Sequence, residues 1–581
     1  MSKNVRLALA QINATVGDLE GNRDKVLEHL DKARTMNCDL VAFPELTITG
    51  YPPEDLILRQ RFVRDQLKIL KDVAGEVRET TCVLGFVDME DSNLYNATAI
   101  IHNGRIRAVY RKIHLPNYSV FDEERYFESG DYPLVISLNN INIGISICED
   151  VWIPDSVIET QAFCANAEIM LNVSASPYYS GKRNDRIDLL KTHARRSHAV
   201  LAYVNLIGGQ DELVFDGQSM VIDENGEILL YGKPFEEDLL VCDLDVGNIL
   251  ARRLCSPHYQ EERAKFNKIF KNIQTASIES NVRAKKPSLP TRHRSTPPST
   301  EAEIYSAIVL GLKDYVKKNG FSRVTFGLSG GIDSALVAVL SVDALDSTNV
   351  FAVSMPSQYS STGSVTDSEK LAANLGIKLL SFPITEVFTS YTDLLSATFA
   401  GLPSDITEEN IQARIRANLL MALSNKFNWL VLTTGNKSEV SVGYSTIYGD
   451  AAGGFAPLKD VAKTMVYKLA EYRNGLAGYD LIPKSILEKA PSAELRPDQK
   501  DQDSLPPYSL LDKILEYYVE DQLGVNEIIA KGFDPGIVKK VADLVDINEY
   551  KRRQAAPGVK ITERAFGKDR RMPITNHYRA R

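Results

Sequence analysis

Residues 4–11, Asn-Val-Arg-Leu-Ala-Leu-Ala-Gln, alternate polar and apolar side chains, and this period of two predicts a strand. Over 20–36 the spacing becomes helical, with Val26, Leu30 and Ala33 on one face. Leu40-Val-Ala-Phe-Pro-Glu45 reads as a buried strand ending in a carboxylate. Further strand patterns cover 82–87, 95–101, 106–112, 141–148, 168–174 and 200–206. Strands alternating with helices to about residue 245 predict a layered α/β domain.

The pattern breaks after residue 273. Lys285-Lys-Pro-Ser-Leu-Pro-Thr-Arg-His-Arg-Ser-Thr-Pro-Pro-Ser299 is basic and proline-rich with no apolar period, which is linker composition. Thr300-Glu-Ala-Glu303 then has the form of a capping box. Ile304, Ile308, Leu312 and Tyr315 continue at helical spacing, and Gly320 marks a stop. Strands at 324–328, 349–355, 377–382 and 429–434 alternate with helices at 334–345, 364–375 and 408–427. These strands are apolar throughout, as in a parallel sheet covered on both faces. The expected division is a domain at 1–273, a linker at 274–299 and a second domain at 300–581. Residues 492–507 are polar and charge-dense, which fits a mobile functional loop or disorder. The last 31 residues hold ten Lys/Arg and two acids, which fits a solvated tail or a clamp on an anionic substrate.

Composition narrows the class of function. At 581 residues the chain exceeds one core. A net charge of −9 argues against broad binding to nucleic acid. No apolar run is long enough for a membrane span, and Met-Ser-Lys-Asn-Val-Arg leads directly into a strand pattern, so no signal peptide is expected. Six cysteines without a CxxC pair make neither a disulfide framework nor a zinc site, and a reducing, cytoplasmic location is expected.

Two stretches carry candidate chemistry. In Val324-Thr-Phe-Gly-Leu-Ser329-Gly-Gly-Ile-Asp-Ser334 a strand turns on glycines into a helix start. Free N–H groups and the helix dipole converge there, favouring an anion such as pyrophosphate. Ser329 and Ser334 add hydroxyl donors, and Asp333 offers an oxygen to Mg²⁺. No Gly-Lys-Ser/Thr follows, so this is not a Walker A loop. It resembles the pyrophosphate-releasing loop of ATP-dependent adenylating synthetases. In the first half, Cys148 stands where a strand gives way to a turn. A thiolate there could act as nucleophile, with a carboxylate as its base and a lysine on the oxyanion. Glu45 and Lys112 also end predicted strands, so all three could meet at one rim.

In the settings Phe-Pro-Glu45, Tyr-Arg-Lys112 and Ile-Cys148-Glu-Asp, these residues resemble the nitrilase superfamily of carbon–nitrogen hydrolases over about 4–245. The resemblance implies an α-β-β-α sandwich, with Glu45 as general base, Lys112 polarising the oxyanion and Cys148 as acyl-forming nucleophile. A supporting second glutamate is expected at Glu124 of Phe-Asp-Glu-Glu. The glycine loop, Met355-Pro-Ser-Gln-Tyr, Glu409-Asn-Ile-Gln-Ala-Arg-Ile-Arg416, Thr433-Thr-Gly-Asn-Lys-Ser-Glu439, Gly449-Asp450 and Pro457-Leu-Lys-Asp460 together resemble the NAD synthetase family. The nitrilase-like half in front narrows this to its glutamine-dependent members. The resemblance implies a Rossmann-like parallel sheet in the second half, with ATP, glutamine and nicotinic acid adenine dinucleotide as substrates. It also implies Mg²⁺, a homo-oligomer and a shielded passage for ammonia. By position, Gly327, Leu328, Ser329, Gly330, Gly331, Ile332, Asp333, Ser334 and Thr434 would bind ATP, with Asp333 and Glu439 near Mg²⁺. Asn410, Glu439 and Lys551 would contact the dinucleotide, and Tyr118, Ser176 and Lys182 would bind glutamine. Lysine at 182, where some relatives have arginine, keeps the charge but lacks the bidentate fork.

Two other readings fit less well. A thiol-using tRNA-modifying enzyme could share the loop, but the acidic charge and the lack of CxxC weigh against it. A non-enzymatic scaffold would not need Glu45, Lys112 and Cys148 together.

Overall fold

The computed structural model describes residues 3–269, 272–280, 286–289 and 298–578. It divides into two compact units, Met1–Gln210 with Val214–Pro297, and Asp211–Leu213 with Pro298–Arg581. Among the described residues no helix is long and apolar enough to cross a membrane.

In the first unit the alternating N-terminal run is β1 (Asn4–Gln11), followed by β2 (Leu40–Ala42), β3 (Thr81–Glu90), β4 (Asn93–His102) and β5 (Arg105–Arg111). Next come β6 (Leu134–Leu138), β7 (Ile141–Ile147), β8 (Ile169–Ser174) and β9 (Val200–Asn205). A short hairpin, β10 (Ile207–Gln210) and β11 (Leu213–Asp216), precedes β12 (Met220–Ile222), β13 (Ile228–Tyr231), β14 (Asp238–Asp245) and β15 (Gln274–Ile278). One sheet has the order β14-β1-β2-β3-β4-β5 and the other β13-β12-β9-β8-β7-β6-β15.

The alternation on β1 explains the layering. Val5, Leu7 and Leu9 share a core with Ile143, Ile145, Ile147, Leu171 and Val173 of the other sheet. Ala8 and Ala10 point the opposite way, under α1 (Leu19–Thr35) and α2 (Gln60–Glu76). On the second sheet, Met170, Leu201 and Tyr203 pack against Ile158 and Phe163 of α3 (Val157–Ala165) and Leu190 of α4 (Lys182–Ser197). The result is the expected α-β-β-α sandwich. Two more helices, α5 (Ile249–Cys255) and α6 (Pro257–Ile269), follow.

The segment expected to open the linker is structured. Gln274–Ile278 is the edge strand β15, in parallel register with Leu134–Leu138. Ile278 is buried in the inter-sheet core and Ala276 packs against it, while Gln274, Thr275 and Ser277 are exposed, so the period of two spans only Ala276 to Ile278. Arg6 donates from Nη2 to the Pro287 carbonyl at 2.8 Å, which ties down part of the remaining segment. The rest of the expected linker, 281–285 and 290–297, lies outside the described residues.

The second unit opens with α7 (Thr300–Lys318). Its cap is Ser299, whose hydroxyl accepts from Ala302 N at 3.2 Å, so Thr300 is the first helical residue instead of the cap. The strands β16 (Val324–Gly327), β17 (Val350–Ser354), β18 (Lys378–Ser381) and β19 (Leu430–Val431) are parallel, in the order β18-β17-β16-β19. They alternate with α8 (Ile332–Leu345), α9 (Thr362–Leu375), α10 (Thr385–Leu395) and α11 (Ile406–Phe427), and β19 leads into α12 (Lys437–Val442). The direction of winding reverses between β16 and β19, and open α/β sheets bind ligands at the carboxyl ends of strands flanking such a reversal. After α13 (Lys463–Ala477), a group of helices from Tyr508 to Arg552 builds its own core from Leu511, Ile514, Val519, Ile528, Val538 and Val541.

Two candidate active sites

Glu45, Lys112 and Cys148 follow the carboxyl ends of β2, β5 and β7, and the first two bond directly. Lys112 Nζ donates to Glu45 Oε1 at 2.7 Å and to both oxygens of Glu123 at 2.9 Å, and Lys112 and Glu45 are fully buried. Asn96 Nδ2 bridges the two carboxylates, at 2.7 Å from Glu45 and 3.2 Å from Glu123. Tyr51 OH donates to Glu123 at 2.9 Å, and Ala175 N, just beyond β8, donates to Glu45 Oε2 at 2.9 Å. The second glutamate is therefore Glu123. Glu124, the expected candidate, is exposed and accepts from Asn117. The one-turn helix Glu123–Arg125 decides which of the adjacent acids points inward, and nothing in Phe-Asp-Glu-Glu separates them beforehand.

Cys148 occupies the left-handed region at φ 41°, which costs a non-glycine residue about 1–3 kcal/mol. Asp150 holds this elbow. Its Oδ2 accepts from Ile147 N at 2.9 Å and Tyr110 OH at 2.7 Å, and its Oδ1 accepts from His114 N at 3.0 Å. Burial pushes the Cys148 thiol well above its ordinary range, Glu45 adds to this and Lys112 opposes it. Burial alone would lower Lys112, but Glu123 and Glu45 hold it well above the usual lysine range. Burial pushes the Glu123 carboxyl up to about 7, against the pull of Lys112. The resting site thus holds a neutral thiol beside a lysine fixed in its charged form.

The three candidate glutamine contacts lie nearby. Tyr118 is half exposed and donates to Glu149 at 3.0 Å. Ser176 is buried, with its N–H donating to Asn205 Oδ1 at 2.9 Å. Lys182, at the start of α4, donates to the Pro177 carbonyl at 2.9 Å and acts on the Glu149 carboxylate electrostatically.

In the second unit a cavity of about 1060 Å³ opens at the switch point. Gly327, Leu328, Ser329, Gly331, Ile332, Asp333, Ser334, Asn410, Thr434, Glu439 and Lys551 all line it. Gly330 does not. It sits at φ 77°, and a Cβ there would lie 2.4 Å from the Ser364 carbonyl oxygen, so this glycine permits the close approach of α9. The two loop serines bond within the loop. Ser334 Oγ donates to the Gly331 carbonyl at 2.9 Å, and Ser329 Oγ accepts from Gly331 N at 3.3 Å.

Asp333, in the first turn of α8, accepts at Oδ2 from Lys463 Nζ and at Oδ1 from Asn436 Nδ2 at 2.8 Å. Lys463 also reaches Glu439 at 3.3 Å. Burial pushes the Glu439 carboxyl up to about 8; Lys463 opposes this, while Asp333 and Asp501 add to it. Three carboxylates thus surround one buried ammonium. Arg416 is a further cation in the wall, lowered to about 10 by burial. Thr446 donates to Asn410 at 2.7 Å, and Lys551 donates to the carbonyls of Gly443 and Ser445 at 2.7 and 2.8 Å. Asn436 and Arg416 lie inside two of the motif stretches without an expected role of their own, and Lys463 lies outside them, three residues after Asp460.

Of the two readings of residues 492–507, the structure favours a stretch placed at the cavity over disorder. Residues between 492 and 507 are folded onto the cavity, where Ser492, Glu494, Arg496, Gln499 and Asp501 line it. Asp460 does not line it; its carboxylate accepts from Ile561 N and Thr562 N at 2.8 and 2.7 Å. Nor does the basic tail clamp the cavity. Arg552 and Arg570 each pair with Glu549 at 2.9 Å, Lys560 pairs with Asp569 at 2.6 Å, and of the described tail residues only Lys551 lines the wall. Residues 579–581 lie outside the described residues.

Comparison with known proteins agrees with both halves. A family model described as carbon-nitrogen hydrolase matches residues 6–253, and one described as NAD synthase matches 304–555. A glutamine-dependent NAD(+) synthetase of Thermotoga maritima is 49% identical over 579 residues, 99% of this chain and 99% of its own. The protein of that name from Aquifex aeolicus is 47% identical over 580 residues, 99% of this chain and 100% of its own. Among solved structures, the glutamine-dependent NAD+ synthetase of Acinetobacter baumannii in complex with adenosine diphosphate is 40% identical, covers 100% of both chains and gives a TM-score of 0.75.

Proposed function

This chain belongs to the family of glutamine-dependent NAD(+) synthetases, and on that premise we propose how its own residues divide the work. It is a carbon–nitrogen ligase with a glutaminase half and an ATP-using NAD synthetase half. The observation that carries the division is the buried Lys112, held between Glu45 and Glu123 beside Cys148.

In the first half Cys148 Sγ attacks the side-chain amide carbon of glutamine. Glu45 takes the thiol proton, because the neutral thiol is the resting form and a carboxylate is the base at hand. Lys112 stabilises the oxyanion, and Glu123 keeps Lys112 charged and aimed. Glu45 returns the proton to the leaving nitrogen as ammonia departs. It then activates the water that releases glutamate from the thioester.

In the second half the carboxylate of nicotinic acid adenine dinucleotide attacks the α-phosphorus of ATP. Pyrophosphate leaves toward the N–H groups of the glycine loop and the start of α8. Ammonia then attacks the acyl carbon, AMP leaves, and the carboxamide of NAD is formed. Asn410, Glu439 and Lys551 contact the dinucleotide, and Thr434 contacts ATP. Among the described residues no three His, Cys, Asp or Glu side chains form a metal site by themselves, so phosphate oxygens would have to complete the shell of a bound cation. The excess of carboxylates over Lys463 suits such a cation, so Asp333 and Glu439 would hold Mg²⁺, which when bound neutralises charge on the triphosphate.

Lys182 meets the α-carboxylate of glutamine, with Tyr118 and Ser176 completing the contact. Lys182→Ala tests this placement, because a lost charge-assisted contact is worth about 1.5–3 kcal/mol. We expect the KM for glutamine to rise about 10- to 100-fold, with ammonium-driven synthesis unchanged. An unchanged KM removes Lys182 from the glutamine site. A homo-oligomer fits the exposed Tyr391, Leu394, Leu402 and Ile406 around α10 and α11, and a cytoplasmic location fits six free cysteines.

A further inference from the structure

We propose that Asn436 is the positioning residue that fixes Asp333 and Glu439 relative to each other in the ATP cavity. This rests on the assignment of those two carboxylates to the nucleotide. Asn436 is fully buried at the junction between β19 and α12. Its side-chain oxygen caps α12 by accepting from Glu439 N at 3.0 Å, and its side-chain nitrogen donates to Asp333 Oδ1 at 2.8 Å. Lys463 closes the ring from the other side, bonding Asp333 Oδ2 and Glu439 Oε1. One amide therefore ties together the starts of α8 and α12, two helices on opposite sides of the topological switch.

Capping alone does not account for the amide. Asn, Asp and Ser cap helices about equally well. Only asparagine can both accept from Glu439 N and donate to Asp333 at this reach. Aspartate would cap, but would set a carboxylate oxygen against Asp333 Oδ1. Serine would cap, but has no second group to extend to α8. The bond to Asp333 is thus the part of Asn436 that its place in the helix does not require.

The test uses full-length protein carrying Asn436→Ser, which keeps the cap and the charge but loses the amide nitrogen that reaches Asp333. The first readout is binding of Mn²⁺ with a non-hydrolysable ATP analogue, followed by electron paramagnetic resonance. The others are thermal melting and ammonium-driven NAD synthesis. We expect melting close to wild type, Mn²⁺ affinity reduced about tenfold, and kcat reduced on the order of 100-fold from a misplacement of about 1 Å. The KM for the dinucleotide should stay near wild type. If Asn436→Ser fails to fold, the isosteric Asn436→Asp carries the test through the same kcat. A folded variant with wild-type kcat and Mn²⁺ affinity overturns the inference. Wild-type protein that binds no Mn²⁺ with the nucleotide overturns the cation assignment instead, and Asn436 then stands or falls on kcat alone.

Discussion

Cys148→Ala makes NAD from ammonium at near the wild-type rate and from glutamine at less than about one-thousandth of it, a loss in the range seen when a catalytic nucleophile is removed. The effect is this large because no neighbour can substitute. Lys112 is committed to two carboxylates, and Glu45 accepts from Lys112, Asn96 and Ala175. The left-handed backbone at Cys148 and the three bonds to Asp150 belong to the elbow, so they persist when only Sγ is lost. The second half keeps its own cavity, and free ammonia in an ammonium buffer enters the reaction after the missing step. Measuring NAD with each nitrogen source on one preparation separates loss of the thiol from loss of the protein. Full glutamine-driven activity in this variant removes Cys148 from the chemistry.

Asp333→Ala gives the opposite pattern, in which synthesis from either nitrogen source falls by about 10²- to 10³-fold while glutamate release from glutamine persists at least in part. Activation of the dinucleotide precedes any use of nitrogen, so the source of ammonia does not matter. Asp333 stands where the glycine loop becomes a helix, and its two oxygens join Asn436 and Lys463. Its removal also leaves the buried Lys463 with Glu439 as its remaining carboxylate partner at 3.3 Å. Asp333→Asn is therefore the companion variant, since it keeps the shape and removes the charge. Ammonium-driven synthesis at the wild-type rate in both variants excludes Asp333 from the site.

Local pattern carried the layers of the fold and the ends of its strands. The alternation on Asn4–Gln11 divided the strand between two cores, one against the other sheet and one under α1 and α2, and the apolar strands of the second half marked a parallel sheet. The same local signals pointed to Lys112, Cys148 and the glycine loop, which follow directly on strand ends, and to Glu45, three residues past the end of β2. What stayed hidden depends on distant closure. Asn436 and Lys463 meet Asp333 across 103 and 130 residues, and no window of sequence spans that. Glu123 and Glu124 differ only in which way a single turn faces. The edge strand at Gln274–Ile278 pairs with β6 but turns only Ala276 and Ile278 inward, too short an apolar period to stand out from a linker. The basic tail read as either solvated or a clamp because its pairing with Glu549 and Asp569 forms only in the folded chain.

The central claim is that nitrogen freed at a thiol in the first half is joined to an acid activated by AMP in the second. Two isotopes in one reaction test it: glutamine labelled with ¹⁵N in its side-chain amide, and nicotinic acid adenine dinucleotide labelled with ¹⁸O in its carboxylate. Mass spectrometry of the products should find ¹⁵N in the carboxamide of NAD and one ¹⁸O in the phosphate of AMP. Label in pyrophosphate instead of AMP, or NAD without ¹⁵N when no other nitrogen is supplied, would contradict it.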